Sequence, residues 1–290
     1  MSPVILGVVI APGKTAQLVA EKLLDLTHGF SVQFFSLPLS QIEQTIPDAV
    51  TLNSSSVEEC AKRLADSGVT HAIYVGGYGG ALELRLPERM KKSTLASFDA
   101  WEPFATMEKF KTLLEARAII LSSPLEFLPD LSVKPGYSEG NFDTIVSRIN
   151  FDSAISKAYS EKRLSSQVFI VDEGRVLAQG NATAGTNALI KSFGDSHDKS
   201  RLKSPVLCKV ASPHNLGVYP PVVGDATIQL CFRHGLKGII VEAGKTIVMD
   251  QERISLRGQR QSLDGDSSVA RWFADGSLFF CGLDKQSIDC

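Results

Sequence analysis

The residues of this chain best suited to chemistry gather in one stretch, 205–244, which reads PVLCKVASPHNLGVYPPVVGDATIQLCFRHGLKGIIVEAG. Lys209 ends an apolar strand at 206–210. A lysine there is either an edge residue whose ammonium reaches water or a phosphate contact. Glu242 stands at the carboxyl end of a second apolar strand, where a carboxylate either holds magnesium or caps a turn. Asp225 opens the helix between them and is expected to cap it by taking orphan N–H groups. The intervening loop is punctuated by proline and carries His214 and Tyr219. An apolar loop so tightly bracketed is expected to line a binding or active cleft.

Two glycine turns make a second candidate group. Ala11-Pro12-Gly13-Lys14-Thr15 follows the first strand, and Gly76-Gly77-Tyr78-Gly79-Gly80 follows the third. The first falls short of a P-loop, because Val8 stands where the nest needs glycine. Neither turn has the full dinucleotide fingerprint. Each is a tight strand-to-helix turn or a set of backbone N–H groups facing an anionic ligand. The five histidines show no metal-binding spacing, and no serine sits in a nucleophile elbow.

The elements that must carry these residues alternate. Apolar runs at 4–10, 31–35 and 70–75 are separated by helical patterns at 15–26 and 57–66, the latter with Ser56 as N-cap and Gly68 past its end. Strand, helix and strand with glycine after the strands is a Rossmann-like parallel sheet. Ligands in such sheets bind beyond the carboxyl ends of the strands. Further helices are expected at 107–116, 152–161 and 186–193. A hairpin is expected through 167–178, and strands at 246–249 and 278–281. Residues 259–268 read as a solvated polar loop. At 290 residues two domains are expected: a Rossmann-like N-terminal domain at 1–135 and an α/β C-terminal domain at 136–290, with a cleft between them.

Composition excludes several classes. Charged residues are 21% and the net charge is −2, which leaves no footprint for nucleic acid. The five cysteines are widely scattered, so neither a disulfide framework nor a zinc site is expected. No run approaches the roughly 18 apolar residues that span a bilayer. A reducing cytoplasm is the expected compartment.

In order and spacing the chain resembles the LpxI-type UDP-2,3-diacylglucosamine pyrophosphatases of bacterial lipid A synthesis. The matching pieces are ILGVV at 5–9 with Gly13, Gln167, GRVLA at 174–178, GTNALI at 185–190, VLCK at 206–209, PVVG at 221–224, ATI at 226–228 and GLKGIIVEAG at 235–244. The resemblance implies magnesium-dependent attack of water on the α-phosphate, giving UMP and 2,3-diacylglucosamine 1-phosphate. It implies catalytic roles for Lys209, Glu242, Asp225 and Tyr219, with Glu242 on the metal. Substrate contacts would come from Gly13, Lys14, Gly76, Gly77, Gln167, Thr186, Asn187 and His214. The expected partners are an acylated UDP-sugar or sugar phosphate, the surface of the inner membrane, and a second copy in a homodimer. The chain departs from the family where charge matters. Tyr219 replaces a carboxylate and Gly217 an arginine, Ala184 and Asn187 replace two acids, and Gly77 and Gly80 replace polar residues. A phenol keeps its proton near neutral pH and cannot act as that carboxylate. The alternative is therefore a degenerate relative that binds a nucleotide sugar or acylated sugar phosphate without turnover.

Overall fold

The computed structural model describes residues 4–25, 30–37, 46, 48–53, 56–76, 102–141, 143–160, 166–180, 185–196, 201–211, 218–249, 251 and 268–285. The chain divides into two compact units, Met1–Pro129 with His214–Tyr219, and Asp130–Pro213 with Pro220–Cys290.

In the first unit, β1 (Ile5–Ile10), β2 (Ser31–Ser36), β3 (Val50–Thr51), β4 (His71–Val75) and β5 (Ile120–Ser122) form one sheet in the order β3-β2-β1-β4-β5. Every neighbouring pair is parallel. The helices α1 (Lys14–Leu24), α2 (Val57–Asp66), α3 (Glu102–Glu115) and α4 (Pro124–Phe127) belong to this unit. The Rossmann-like expectation holds. Alternation along β1 puts Val9 and Ala11 in one core with Cys60 and Leu64 of α2 and Phe110 and Leu114 of α3. Gly7 faces the same way, and a Cβ on it would lie 2.5 Å from Leu64 Cδ2. Helix α2 starts where the sequence places it, because the Ser56 hydroxyl accepts from Glu59 N–H at 3.2 Å.

The second unit is built on a six-stranded sheet in the order β6-β13-β11-β9-β7-β8. Its strands are β6 (Ser138–Glu139), β7 (Val168–Asp172), β8 (Arg175–Gln179), β9 (Val206–Lys209), β11 (Gly238–Glu242) and β13 (Phe279–Leu283). The three central strands, β13, β11 and β9, run parallel. Strands β6, β7 and β8 each pair antiparallel, and the β7–β8 hairpin is the one read from the sequence. A small parallel pair, β10 (Val222–Val223) with β12 (Ile247–Val248), lies apart from this sheet. The helices are α5 (Thr144–Ser160), α6 (Gly185–Ser196), α7 (Asp225–Arg233) and α8 (Ser268–Ala274). One face of the sheet packs Leu207, Ile239 and Val241 against Ile228 and Cys231 of α7. The other packs Cys208, Ile240 and Cys281 against Phe151 and Ala154 of α5.

Two helix boundaries differ from expectation. Helix α3 begins at Glu102, and α5 begins at Thr144 rather than at 152. Asp143 supplies the start of α5, its Oδ1 accepting from Ile145 N–H at 2.9 Å and Val146 N–H at 3.1 Å. The polar loop at 259–268 lies outside the described residues except Ser268, which opens α8. Cys60, Cys208, Cys231 and Cys281 are free and buried, as small core residues should be. Among the described residues no helix is long and apolar enough to cross a membrane.

Candidate functional site

The candidate residues fall into two groups, one in each unit. In the second unit they centre on the carboxyl end of β9. Lys209 pairs in register with Val241 on one side and Val168 on the other. Since side chains alternate along a strand, Lys209 shares the face of Leu207 and Val241, beneath α7. The side chain is only 6% exposed, and among the described residues it forms no ion pair with a carboxylate. Burial pulls its amine down to about 8, while Cys231 of α7 acts weakly in the opposite sense.

Glu242 follows Val241 and therefore faces the opposite side of the sheet from Lys209, so the two do not meet as a pair. Glu242 is 4% exposed. One carboxylate oxygen accepts from Ala211 N–H at 2.8 Å, and the other pairs with Lys245 Nζ at 2.9 Å. The hydrogen bond to Glu242 holds the Lys245 amine above its usual range. This carboxylate ties the chain just past β9 to the turn after β11, the capping half of the sequence alternative. Among the described residues no three of His, Cys, Asp and Glu stand together. With both its oxygens engaged, Glu242 and its described neighbours do not fit a magnesium ion.

Asp225 is not the cap of α7. Gly224, at φ −141°, is the N-cap, with no side-chain hydrogen bond. Asp225 is the first helical residue, where a negative charge suits the helix end, and its Oδ2 accepts from Gln229 Nε2 at 2.8 Å. Gln167 precedes β7, and its carbonyl accepts from Val210 N–H at 3.0 Å, so the structure brings Gln167 next to the end of β9. Thr186 and Asn187 stand in the first turn of α6, the former half-buried and the latter exposed.

The other group lies in the first unit. Gly13 caps α1 with φ 130°, a conformation open only to glycine, and Lys14 is exposed beside it. Gly76 has φ 125°, and a Cβ there would fall 2.6 Å from Ala11 Cβ. Ala11 of the first turn and Gly76 of the second thus meet at the carboxyl ends of neighbouring strands. Tyr219 joins them, its phenol donating to the Gly76 carbonyl. Gly77 and His214, with Gly80, Ala184 and Gly217, lie outside the described residues.

Sequence reasoning missed two of these relations. The partner of Tyr219 is a backbone carbonyl 143 positions away, for which no local signal exists. The Glu242–Lys245 pair at i, i+3 was visible as spacing and supports the capping role.

Among the described residues, a parallel strand ends in a buried lysine that forms no ion pair with a carboxylate, and a helix and the next parallel strand come after it in an α/β domain. Residues 143–263 match the LpxI C-terminal domain. The UDP-2,3-diacylglucosamine pyrophosphatase LpxI of Caulobacter vibrioides is 35% identical over 111 residues, which cover 36% of this chain and 39% of the relative. The matched stretch therefore spans about two fifths of that relative's length. The LpxI-type resemblance read from the sequence holds.

Proposed function

We propose that this chain is an LpxI-like hydrolase that cleaves UDP-2,3-diacylglucosamine at the α-phosphate, releasing UMP and 2,3-diacylglucosamine 1-phosphate. The observation that carries the proposal is Lys209. A buried ammonium without a counter-charge is costly to hold. A phosphate oxygen entering at the carboxyl end of β9 supplies that counter-charge through a charge-assisted hydrogen bond. Lys209 would then stabilise charge developing on the phosphoryl group. Gln167, Asp225, Thr186 and Asn187 would supply polar contacts to the sugar phosphate, with Gly13, Lys14, Gly76, Gly77 and His214 as further contacts. The acylated substrate places the reaction at the inner face of a bacterial inner membrane, with the protein as a homodimer.

A second reading is binding without turnover. It is favoured by Glu242, whose two oxygens are engaged within the protein, and by a phenol where the family carries an acid. One experiment separates the two: purified chain with UDP-2,3-diacylglucosamine, with and without magnesium, assayed for UMP beside Lys209→Met. UMP released by the parent and not by the variant supports hydrolysis. Binding that depends on Lys209 without UMP supports the second reading. No release and no binding removes both.

A further inference from the structure

The first unit holds an arrangement around Gly76, one of the proposed substrate contacts. Chain order runs outward from β1 through β2 to β3 on one side, and through β4 to β5 on the other. The order therefore reverses between β1 and β4, and parallel sheets take ligands just beyond the strand ends at such a switch point. Here that point is formed by Ala11, after β1, and Gly76, after β4. Ala11 N–H bonds the Val75 carbonyl at 2.9 Å. The glycine brings its backbone so close to Ala11 that no side chain fits between them.

Val218 and Tyr219 reach this point from far along the chain. Val218 is buried and Tyr219 is 9% exposed, and both belong to the core that includes Ala11 and Tyr74. The Tyr219 ring centroid lies 5.9 Å from that of Tyr74, the rings tilted by 35°. Its hydroxyl donates to the Gly76 carbonyl. A planar ring tilted beside an aromatic, with one donor on a backbone carbonyl, is also a way in which a nucleobase could be received. Uracil carries the same features, a planar ring and an N–H able to donate to that carbonyl.

We propose that the switch point of the first unit is a nucleobase site that the chain fills with its own Tyr219, so that a uracil nucleotide and the tyrosine compete for the Gly76 carbonyl. The proposal rests on the preceding functional reading for the choice of uracil and shares with it Gly76 as a substrate contact. With Tyr219 docked, the binding-competent state is a minor one, and apparent affinity falls by the fraction of molecules in it. Releasing the tyrosine returns that affinity.

The test is calorimetric titration of the full chain with UMP, uridine and inorganic phosphate, for the parent, Tyr219→Phe and Tyr219→Ala. Each is run also with Lys209→Met, which removes anion binding in the second unit. The expected result is affinity for UMP and uridine that rises about tenfold from parent to Tyr219→Ala, with Tyr219→Phe between them and phosphate unaffected. Equal affinities across the series, or weaker binding as the ring is removed, overturn the proposal. Should Tyr219→Ala fail to fold, fluorotyrosine NMR on the parent replaces it, with the Tyr219 signal assigned by Tyr219→Phe. Addition of UMP must then move that signal to a solvent-exposed position, and an unmoved signal at saturating UMP overturns competition. Absence of hydrolysis alongside a Tyr219-dependent gain in affinity would remove only the hydrolytic reading. Hydrolysis with UMP affinity indifferent to Tyr219 would remove only this one.

Discussion

Lys209→Met should make the protein more stable while removing its capacity to bind the substrate anion. Methionine has a similar length and the flexibility to fill the same space beneath α7, so the main change is the loss of a buried charge. Burial lowers the amine from 10.5 to about 8. At about 1.4 kcal/mol per pKa unit, holding that charge near neutral pH costs up to about 3 kcal/mol. The sign with pH follows from proton binding. Between about 8 and 10.5 the unfolded chain binds a proton that the folded chain has released, so parent stability rises with pH across that window. The variant lacks the group. Its advantage is therefore full below about 8 and shrinks toward 10.5. Urea unfolding of both proteins at neutral pH and near pH 9.5 reads the difference from the midpoints. A variant less stable than the parent at neutral pH, or an advantage that widens with pH, would refute an unpaired ammonium. The case for Lys209 as the anion's partner would fall with it.

Glu242→Ala should cost about 2–3 kcal/mol, because Ala211 N–H and Lys245 both lose a charged acceptor. Glu242→Gln keeps an acceptor for Ala211 and should cost about 1 kcal/mol by the same urea assay. UMP release abolished by Glu242→Gln at unchanged stability would return this residue to a chemical role. Ser56→Ala should cost about 1 kcal/mol by removing the cap of α2, read from the same unfolding midpoint. Gly194→Ala in α6 puts a Cβ 1.9 Å from His234 Nδ1 and should cost about 1–3 kcal/mol by overpacking. His234→Ala in the same chain should recover most of that loss, and a double variant no better than Gly194→Ala would show that the clash is not with the ring.

The first unit was legible because its signals are local. Apolar runs end in glycine at β1 and β4, and Ser56 announces α2 three residues ahead of the N–H it binds. The start of α5 was missed for an equally physical reason. Its first turns reverse the usual pattern, with Ile145 at 72% exposure and Ile149 also exposed while Ser147 and Asn150 are buried. No reading of apolar periodicity finds a helix whose apolar residues face outward. The candidate site was legible as a roster but not as an arrangement. Lys209 and Glu242 both stand at strand ends in the sequence, and only the register of β9 against β11 shows that they face opposite sides. The cap of α7 shifted by one residue, since Gly224 can adopt the extended N-cap backbone and leaves Asp225 inside the first turn. Tyr219 was expected beside a ligand, and its bond to Gly76 depends on tertiary contact that adjacent residues do not encode.

The place of Val218 and Tyr219 in the first core has a consequence for how the protein is made. The first unit is not a continuous stretch of chain: it needs Met1–Pro129 and also His214–Tyr219. A nascent polypeptide that has delivered the five parallel strands still leaves the surface around Ala11 and Tyr74 uncovered. That surface stays open until most of the second unit's sequence has also been synthesised. N-terminal domains ordinarily close first during translation, but here the earliest residues wait on late ones. A fragment ending at Pro129 should therefore be less stable than the same fold within the whole chain, and adding the missing segment as a free peptide should restore part of the difference.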